Sequence, residues 1–355
     1  MISRSITDLV VLIGPAYKPP RGGIAQMMSC YDELLFENMN YVVNSSKGKL
    51  RNLFLCIGAM FRLVWILSTL RKVRIVNIQT ASGISFSRSC LFIKIAQWMR
   101  RKVIVHIHGG GFKIFYDRSP SQKQHVKRIL QSVDAVIVLT ESWKQQLSAD
   151  LELDNLHCIH NIIPKPVVRS VHDDGKVHLL FMGLICDLKG IFDLVDVFAM
   201  IDDDVRSRIV FHVGGNGEVE RFIDEVKRHK LEDVIHYEGW ISGEQKIELL
   251  NKCEILLQPS YVEALSLTIL EAMSYGKAIL TTNVGGIPTI VKDNENGFLV
   301  EAGDKQMMAL RLKQLIDDKQ LRKRLGMCSA TRVQAYFPEN VSNELSELFS
   351  RLLDN

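Results

Sequence analysis

The strongest constraint on this chain is an alternation repeated along its whole length. Short runs rich in Val, Ile and Leu are separated by turns and by segments with helical periodicity. In the first half the runs are Leu9–Ile13, Tyr41–Val43, Arg74–Ile78, Val103–Ile107, Ala135–Leu139 and Leu156–Ile159. In the second they are Val177–Phe181, Ile209–Val213, Val234–Tyr237, Ile255–Leu257, Ala278–Thr281 and Gly297–Val300. Strands that alternate with helices predict parallel sheets whose crossovers are the helices. Between the two sets stand Pro164-Lys165-Pro166 and the polar stretch His172-Asp173-Asp174-Gly175, which break helix and strand alike. A linker over 166–176 is therefore expected between a first domain, 1–165, and a second, 177–335, with a closing segment at 336–355. The fold class expected is α/β, two doubly wound Rossmann-like domains with a cleft between them. Ligands in such sheets bind at the carboxyl ends of strands.

Composition excludes other classes. With 355 residues, 47% of them hydrophobic, the chain can build two cores and is too apolar for disorder. Its 7 cysteines contain no CxxC pair, so neither a zinc site nor a disulfide framework is expected. The first residues hold Asp8 within only a short apolar run, unlike a secretory signal, and a reducing, cytoplasmic setting is expected.

The net charge of +4 conceals a division. Residues 1–170 hold 23 basic and 10 acidic residues, and the remainder holds 21 and 30. From 38 to 116 there are 13 bases and no acid. Such a surface is expected to face something anionic. Inside it, Lys49–Leu70 reads as a helix whose polar positions, Arg51, Gly58, Arg62 and Thr69, fall in a stripe about 40° wide at 100° per residue. Nearly everything else on it is apolar, more than one sheet can bury. The apolar stretch, interrupted by Arg62, is read as too short to span a bilayer. With Lys47, Lys49, Arg71, Lys72 and Arg74 as flanks, it is expected either to be deeply buried or to lie in an anionic membrane interface. Nucleic acid is not the expected partner, because the aromatic and glycine interleaving of RNA-binding sheets is missing.

The chemistry concentrates in Pro259 to Met273. A strand ending near Gln258 is followed by a helix expected from about Ser266 to Tyr275, with Gly276 at its left-handed stop. Ser266 as N-cap leaves the amides of Leu267 and Thr268 free, a phosphate-binding arrangement. Glu263 before the turn and Glu271 on the helix are unsuited to the anion itself. They suit hydroxyl donors on either side of a diphosphate, one on a sugar and one on a ribose.

With these motifs in view, the sequence resembles the family 4 glycosyltransferases, retaining enzymes of the GT-B fold. The resemblance rests on Glu263-x7-Glu271, its extension to Gly276-Lys277, Asn283-Val-Gly285-Gly286-Ile-Pro288, and Asn294 through Val300. It also includes Phe181-Met-Gly183, Lys189-Gly190 and Val213 through Gly217, and more thinly Arg21 to Ala25 and Ile107-His108-Gly109-Gly110. The family implies a nucleotide-diphosphate sugar, UDP or GDP, as donor and no metal or other cofactor. It implies that Lys189 holds the diphosphate, that Glu263 touches the donor sugar and that Glu271 accepts from ribose hydroxyls. Gly183 and the amides of Ser266, Leu267 and Thr268 would line the phosphates, with Gly22, Gly23 and Arg21 approaching from the first domain. His108 would line the donor sugar. His106 and His108 are read as facing opposite sides of their strand, which leaves His108 for the pocket. The last helix, Pro338–Leu353, is expected to cross back to the first domain. The acceptor implied is a lipid-linked glycan of bacterial surface polysaccharide (O-antigen, capsule or exopolysaccharide) at the inner face of the cell membrane.

Two departures stand out. The family's Arg after the glycine is Leu184 here, and its G-F-G after the first Glu is Ala264-Leu265-Ser266. A silent membrane-associated scaffold is therefore one alternative, and a GT-B sugar-nucleotide epimerase another. The epimerase would need acids in the first domain, and 38–116 offers none. A dehydrogenase is disfavoured because Gly14-Pro15-Ala16 replaces the glycine fingerprint after the first strand. Asp202-Asp203-Asp204 is expected to be a solvated helix-to-strand turn rather than a metal motif, and His157, Cys158 and His160 are expected to be structural.

Overall fold

Each of the twelve runs forms a strand in the computed structural model, which describes residues 1–19, 22–46, 49–109 and 111–354, with backbone alone at 49–51. Arg21, Lys47 and Gly110, and the side chains of Lys49 and Arg51, lie outside the described residues. The strands of the first sheet are β1 (Val10–Pro15), β2 (Tyr41–Ser45), β3 (Ile75–Thr80), β4 (Lys102–Ile107), β5 (Ala135–Val138) and β6 (Leu156–Cys158). Those of the second are β7 (Val177–Met182), β8 (Ile209–Gly214), β9 (Ile235–Gly239), β10 (Ile255–Gln258), β11 (Ala278–Thr282) and β12 (Gly297–Val300). All pairings between them are parallel. Helices cover both faces of a parallel sheet, so its strands are buried throughout. Ile75–Thr80 and Val177–Met182 are buried at every residue.

The orders differ. The first sheet runs β2-β1-β3-β4-β5-β6 and the second β12-β11-β10-β7-β8-β9. In the second, β7 and β10 are neighbours from which the chain departs in opposite directions, and in the first β1 and β3 play that part. Such switch points open a crevice at the strands' carboxyl ends.

The chain divides into two compact units, Met1–Pro164 with Ala335–Asn355, and Lys165–Gln334. Residues 166–176, expected to be a linker, lie along the second unit. Asn251 accepts from the Arg169 amide at 2.8 Å and donates to the Val167 carbonyl at 2.9 Å. The helix Pro338–Asp354 belongs to the first unit. Its stripe of Val341, Leu345, Leu348, Phe349 and Leu352 is buried with Ile2, Val10, Leu12 and Tyr31. Glu344 fastens it by accepting from the His160 amide at 3.0 Å, with the His160 ring at 2.8 Å. His160 is thus structural.

The helix Lys49–Thr69 corrects one expectation. Its window Asn52–Thr69 is long and apolar enough to cross a membrane by length and composition, against the reading that the apolar stretch is too short. One face, however, is already used in the core of the first unit, through Cys56, Ala59, Leu63, Ile66 and Leu67. The other face is apolar and exposed, with Phe54 at 72%, Phe61 at 73% and Trp65 at 63%. The helix is therefore neither fully buried nor one-sided. Asp202–Asp204 are exposed in the connection from the helix Ile191–Met200 to β8, as expected, though Asp203 and Asp204 form the first turn of a short helix, Asp203–Ser207, with Asp202 at its N-cap position.

Candidate active site

The site is assembled at the switch point of the second sheet, where the loops after β7 and β10 are stitched together. The Tyr261 amide donates to the Leu188 carbonyl at 2.9 Å. Gly190, with φ +68°, ends the single turn Asp187–Lys189, and a Cβ there would lie 2.1 Å from the Pro259 carbonyl oxygen. Only glycine allows that approach. It brings Lys189 to the mouth of the other loop, where its Nζ donates to Glu263 Oε1 at 2.5 Å. The same oxygen accepts from the Ser260 hydroxyl at 3.1 Å, and Ser260 in turn accepts from Gln258 at 2.8 Å. Glu263 is further seated on Gly285 (φ +55°), whose Cβ, if present, would fall 1.7 Å from the Glu263 carbonyl oxygen.

Beyond this turn the helix Leu267–Ser274 begins. The Ser266 hydroxyl accepts from the Ile269 amide at 3.3 Å, and the Ser266 carbonyl accepts from Leu270 at 3.2 Å. The amides of Leu267 and Thr268 are the ones left for a ligand, and partial positive charge gathers at this helix end. The Thr268 hydroxyl donates to the Met182 carbonyl at 3.2 Å, which fixes the helix start beside the end of β7 and hence beside Gly183. Gly276 takes the left-handed conformation at the far end, φ +65°. Lys189, Gly183, Glu263, Ser266, Leu267 and Thr268 thus share one switch point.

Glu271 lies farther along the same helix. It has a partner that no motif announced, Lys246 on the helix Gly243–Lys252, whose Nζ donates to Glu271 Oε1 at 2.7 Å. Lys246 is one helix lysine among several in the sequence, and only the fold singles it out.

In the first unit Gly22, with φ +99°, precedes the helix Gly23–Cys30 after β1, and neither glycine would have a neighbour within 4 Å of an added Cβ. That helix start is therefore open to a close approach. His108 follows β4, its amide bonded to the Thr80 carbonyl at 2.9 Å. The reading that His106 and His108 face opposite sides is wrong. Residues two apart on an extended chain share a side, and the two rings lie 4.1 Å apart. His106 is fully buried, and among the described residues neither of its ring nitrogens has a partner. His108 is the ring with a polar contact, to Gln79 Oε1 at 2.7 Å. Because Gln79 donates its amide to Asn77 at 3.0 Å, the oxygen facing His108 accepts, so Nε2 carries the hydrogen. Burial pushes the His108 imidazole down to about 3. It is neutral near pH 7, with Nδ1 left as an acceptor for a hydroxyl.

Leu184 is exposed where the resemblance calls for Arg. The nearby Arg221 is engaged by Asp187 and Glu218. Arg21 lies outside the described residues.

Residues 166–330, which contain the whole β7–β10 site, match the family model described as glycosyl transferases group 1. The second unit therefore resembles a group 1 glycosyl transferase domain. The chain is 24% identical over 293 residues to an uncharacterized glycosyltransferase of Methanocaldococcus jannaschii, with 76% of this chain and 74% of the relative covered. It is also 24% identical over 239 residues to the N-acetyl-alpha-D-glucosaminyl L-malate synthase of Bacillus anthracis, with 64% of this chain and 61% of that one covered. Among solved structures, Anabaena HepE in complex with UDP superposes with a TM-score of 0.77 at 15% identity, covering 96% of this chain and 99% of that one. The sucrose-phosphate synthase of Thermosynechococcus elongatus gives a TM-score of 0.77 at 18% identity, covering 97% and 99%. At these identities the likeness is one of fold, the GT-B arrangement of two α/β units.

Proposed function

We propose that this chain is a retaining, metal-independent glycosyltransferase of family 4 that moves a sugar from a UDP- or GDP-sugar onto a lipid-linked glycan. The observation that carries the reading is the Lys189–Glu263 pair beside the open amides of Leu267 and Thr268. A cation, two N–H groups and a carboxylate there match a diphosphate with a sugar hydroxyl next to it. HepE, a neighbour in fold, has been solved with UDP-glucose, which supports a nucleotide sugar as the donor.

Cleavage of the anomeric carbon–oxygen bond leaves its electron pair on the diphosphate, while positive charge develops on the sugar. Lys189 and the helix-start amides stabilise the leaving charge, and because they are fixed in the fold they do so without a metal ion. Glu263 holds the donor sugar and His108 Nδ1 accepts from one of its hydroxyls. Glu271 accepts from the ribose. The acceptor attacks from the face that the diphosphate leaves, and the departing phosphate oxygen takes its proton. By the resemblance, Gly22 and Gly23 would offer bare backbone to the phosphates, and Arg21 or another base would supply the cation missing at Leu184.

The acceptor reading rests on the first unit. The exposed aromatic ridge of Lys49–Thr69, the exposed Ile84 and Trp98 on the helix Ile84–Trp98, and the surrounding bases suit an anionic bilayer surface. We therefore place the enzyme on the cytoplasmic face of the membrane, in bacterial surface-polysaccharide assembly. Calorimetry with UDP, GDP and ADP in EDTA tests the donor site. One nucleotide should bind, and Lys189→Ala and Glu271→Ala should each weaken it. No binding by any of the three would overturn the reading and leave the scaffold alternative.

A further inference from the structure

Glu271 reaches the site from an eight-residue helix, and its side chain has three torsions to settle before it can read a ligand. Little on its own helix settles them, since Ser274 bonds only the Glu271 backbone carbonyl, at 2.7 Å. The fold supplies a clamp from elsewhere. Lys246 is contributed by a different helix, 25 positions earlier, and its Nζ meets Glu271 Oε1 at 2.7 Å. The pair is largely withdrawn from water, with the Glu271 side chain 12% exposed and that of Lys246 25%. Fully exposed ion pairs hold geometry poorly because solvent competes for both partners. A half-buried, charge-assisted bond of this length orients the carboxylate.

The orientation has a chemical consequence. An ionised carboxylate offers about four acceptor positions on two oxygens. Lys246 bonds Oε1, and among the described residues no hydrogen bond is made to Oε2. An oxygen with two free lone pairs matches two adjacent hydroxyls, which is the vicinal diol of a ribose. A carboxylate free to rotate would present either oxygen, in many directions, and would gain less from the second hydroxyl.

We propose that Lys246 is the positioning residue that makes Glu271 a selective reader of ribose, so that preference for ribonucleoside over 2′-deoxyribonucleoside diphosphates resides in this pair. This rests on the reading of Glu271 as the ribose acceptor. Lys246 itself touches neither the phosphates nor the sugar being moved.

The experiment is calorimetric binding of UDP and 2′-deoxy-UDP, with GDP and 2′-deoxy-GDP in parallel, to the full chain and to Lys246→Met, Lys246→Arg and Glu271→Gln. The wild type should prefer the ribonucleotide about tenfold or more, the scale of one hydrogen bond to a charged group. Lys246→Met should weaken the ribonucleotide by about the same factor and leave the deoxynucleotide unchanged, so that the preference vanishes. Lys246→Arg should keep most of the preference, and its thermal unfolding should match that of Lys246→Met, which excludes a folding defect. Equal weakening of both nucleotides by Lys246→Met would overturn the proposal in favour of a phosphate contact or a merely structural role. An unchanged preference in Lys246→Met would also overturn it. Glu271→Gln separates the two levels. If it abolishes the preference while Lys246→Met does not, only the role of Lys246 fails. If it leaves the preference intact, the ribose reading of Glu271 fails, and the proposal fails with it.

Discussion

The two units are built on the same plan and use charge in opposite ways. Both are six-stranded parallel sheets with a switch point. In the second unit the cations of the site are matched to carboxylates, Lys189 to Glu263 and Lys246 to Glu271. In the first, Arg62, Arg71, Lys94 and Arg100 make no ion pair among the described residues, although Lys72 and Lys102 from the same acid-free stretch reach Asp8 and Asp134. Its candidate site residues among the described ones are bare glycine and a neutral histidine. Paired charges orient a small ligand, and unpaired charges beside exposed aromatic rings attract an extended anionic surface without selecting one molecule. On the proposed reading, one fold would supply a nucleotide-sugar pocket in one unit and a membrane docking face in the other.

The comparison breaks most readily at Lys189. Lys189→Ala should lower the rate of sugar transfer by about 10²–10³-fold, the usual cost of one preorganised donor at a leaving oxygen. Steady-state rates at saturating acceptor measure it, and a loss under threefold would remove Lys189 from the chemistry. The converse break is in the first unit. Replacing Phe54, Phe61 and Trp65 together by Ser should reduce co-flotation with vesicles containing anionic lipid by roughly tenfold or more. Nucleotide binding should be unchanged. If flotation persists, the exposed ridge is not the docking face.

Smaller effects sharpen the contrast. Gly285→Ala forces a Cβ into the Glu263 carbonyl, and should cost about 2–4 kcal/mol in stability, read by denaturant unfolding of the second unit. An unchanged midpoint would mean that the Glu263 turn yields. The last test is one of pH. Burial holds the folded pKa of His108 at about 3, below its unfolded value of 6.5. Between those values the unfolded chain binds a proton that the folded chain refuses. Stability of the first unit is therefore complete above pH 6.5 and falls as pH falls towards 3, by up to about 1.4 kcal/mol per pH unit. His108→Asn should flatten the slope, with His106, also pushed down by burial, contributing the remainder. A slope unaffected by that substitution would mean that His108 is protonated in the folded state.

Much of this was legible in the linear chain, for reasons that differ from residue to residue. The strands were readable because burial on both faces of a parallel sheet demands uninterrupted β-branched runs, a local signature. The helix start at Ser266 and the left-handed Gly276 were readable because caps are set by residues next to them in sequence. The sequence alone therefore determined the sheets, their caps and the division of charge. Relations between distant segments needed the tertiary structure. Lys246 has no motif, and its bond to Glu271 exists only because two helices on either side of β10 are brought together. The shared side of His106 and His108 was misread although the spacing contained it, and only the packed strand shows which of the two keeps a polar partner. On Lys49–Thr69 the sequence marked too much apolar surface but not which half the core would take. Hydrophobic pattern identifies what can be buried, and the packing partner decides what is.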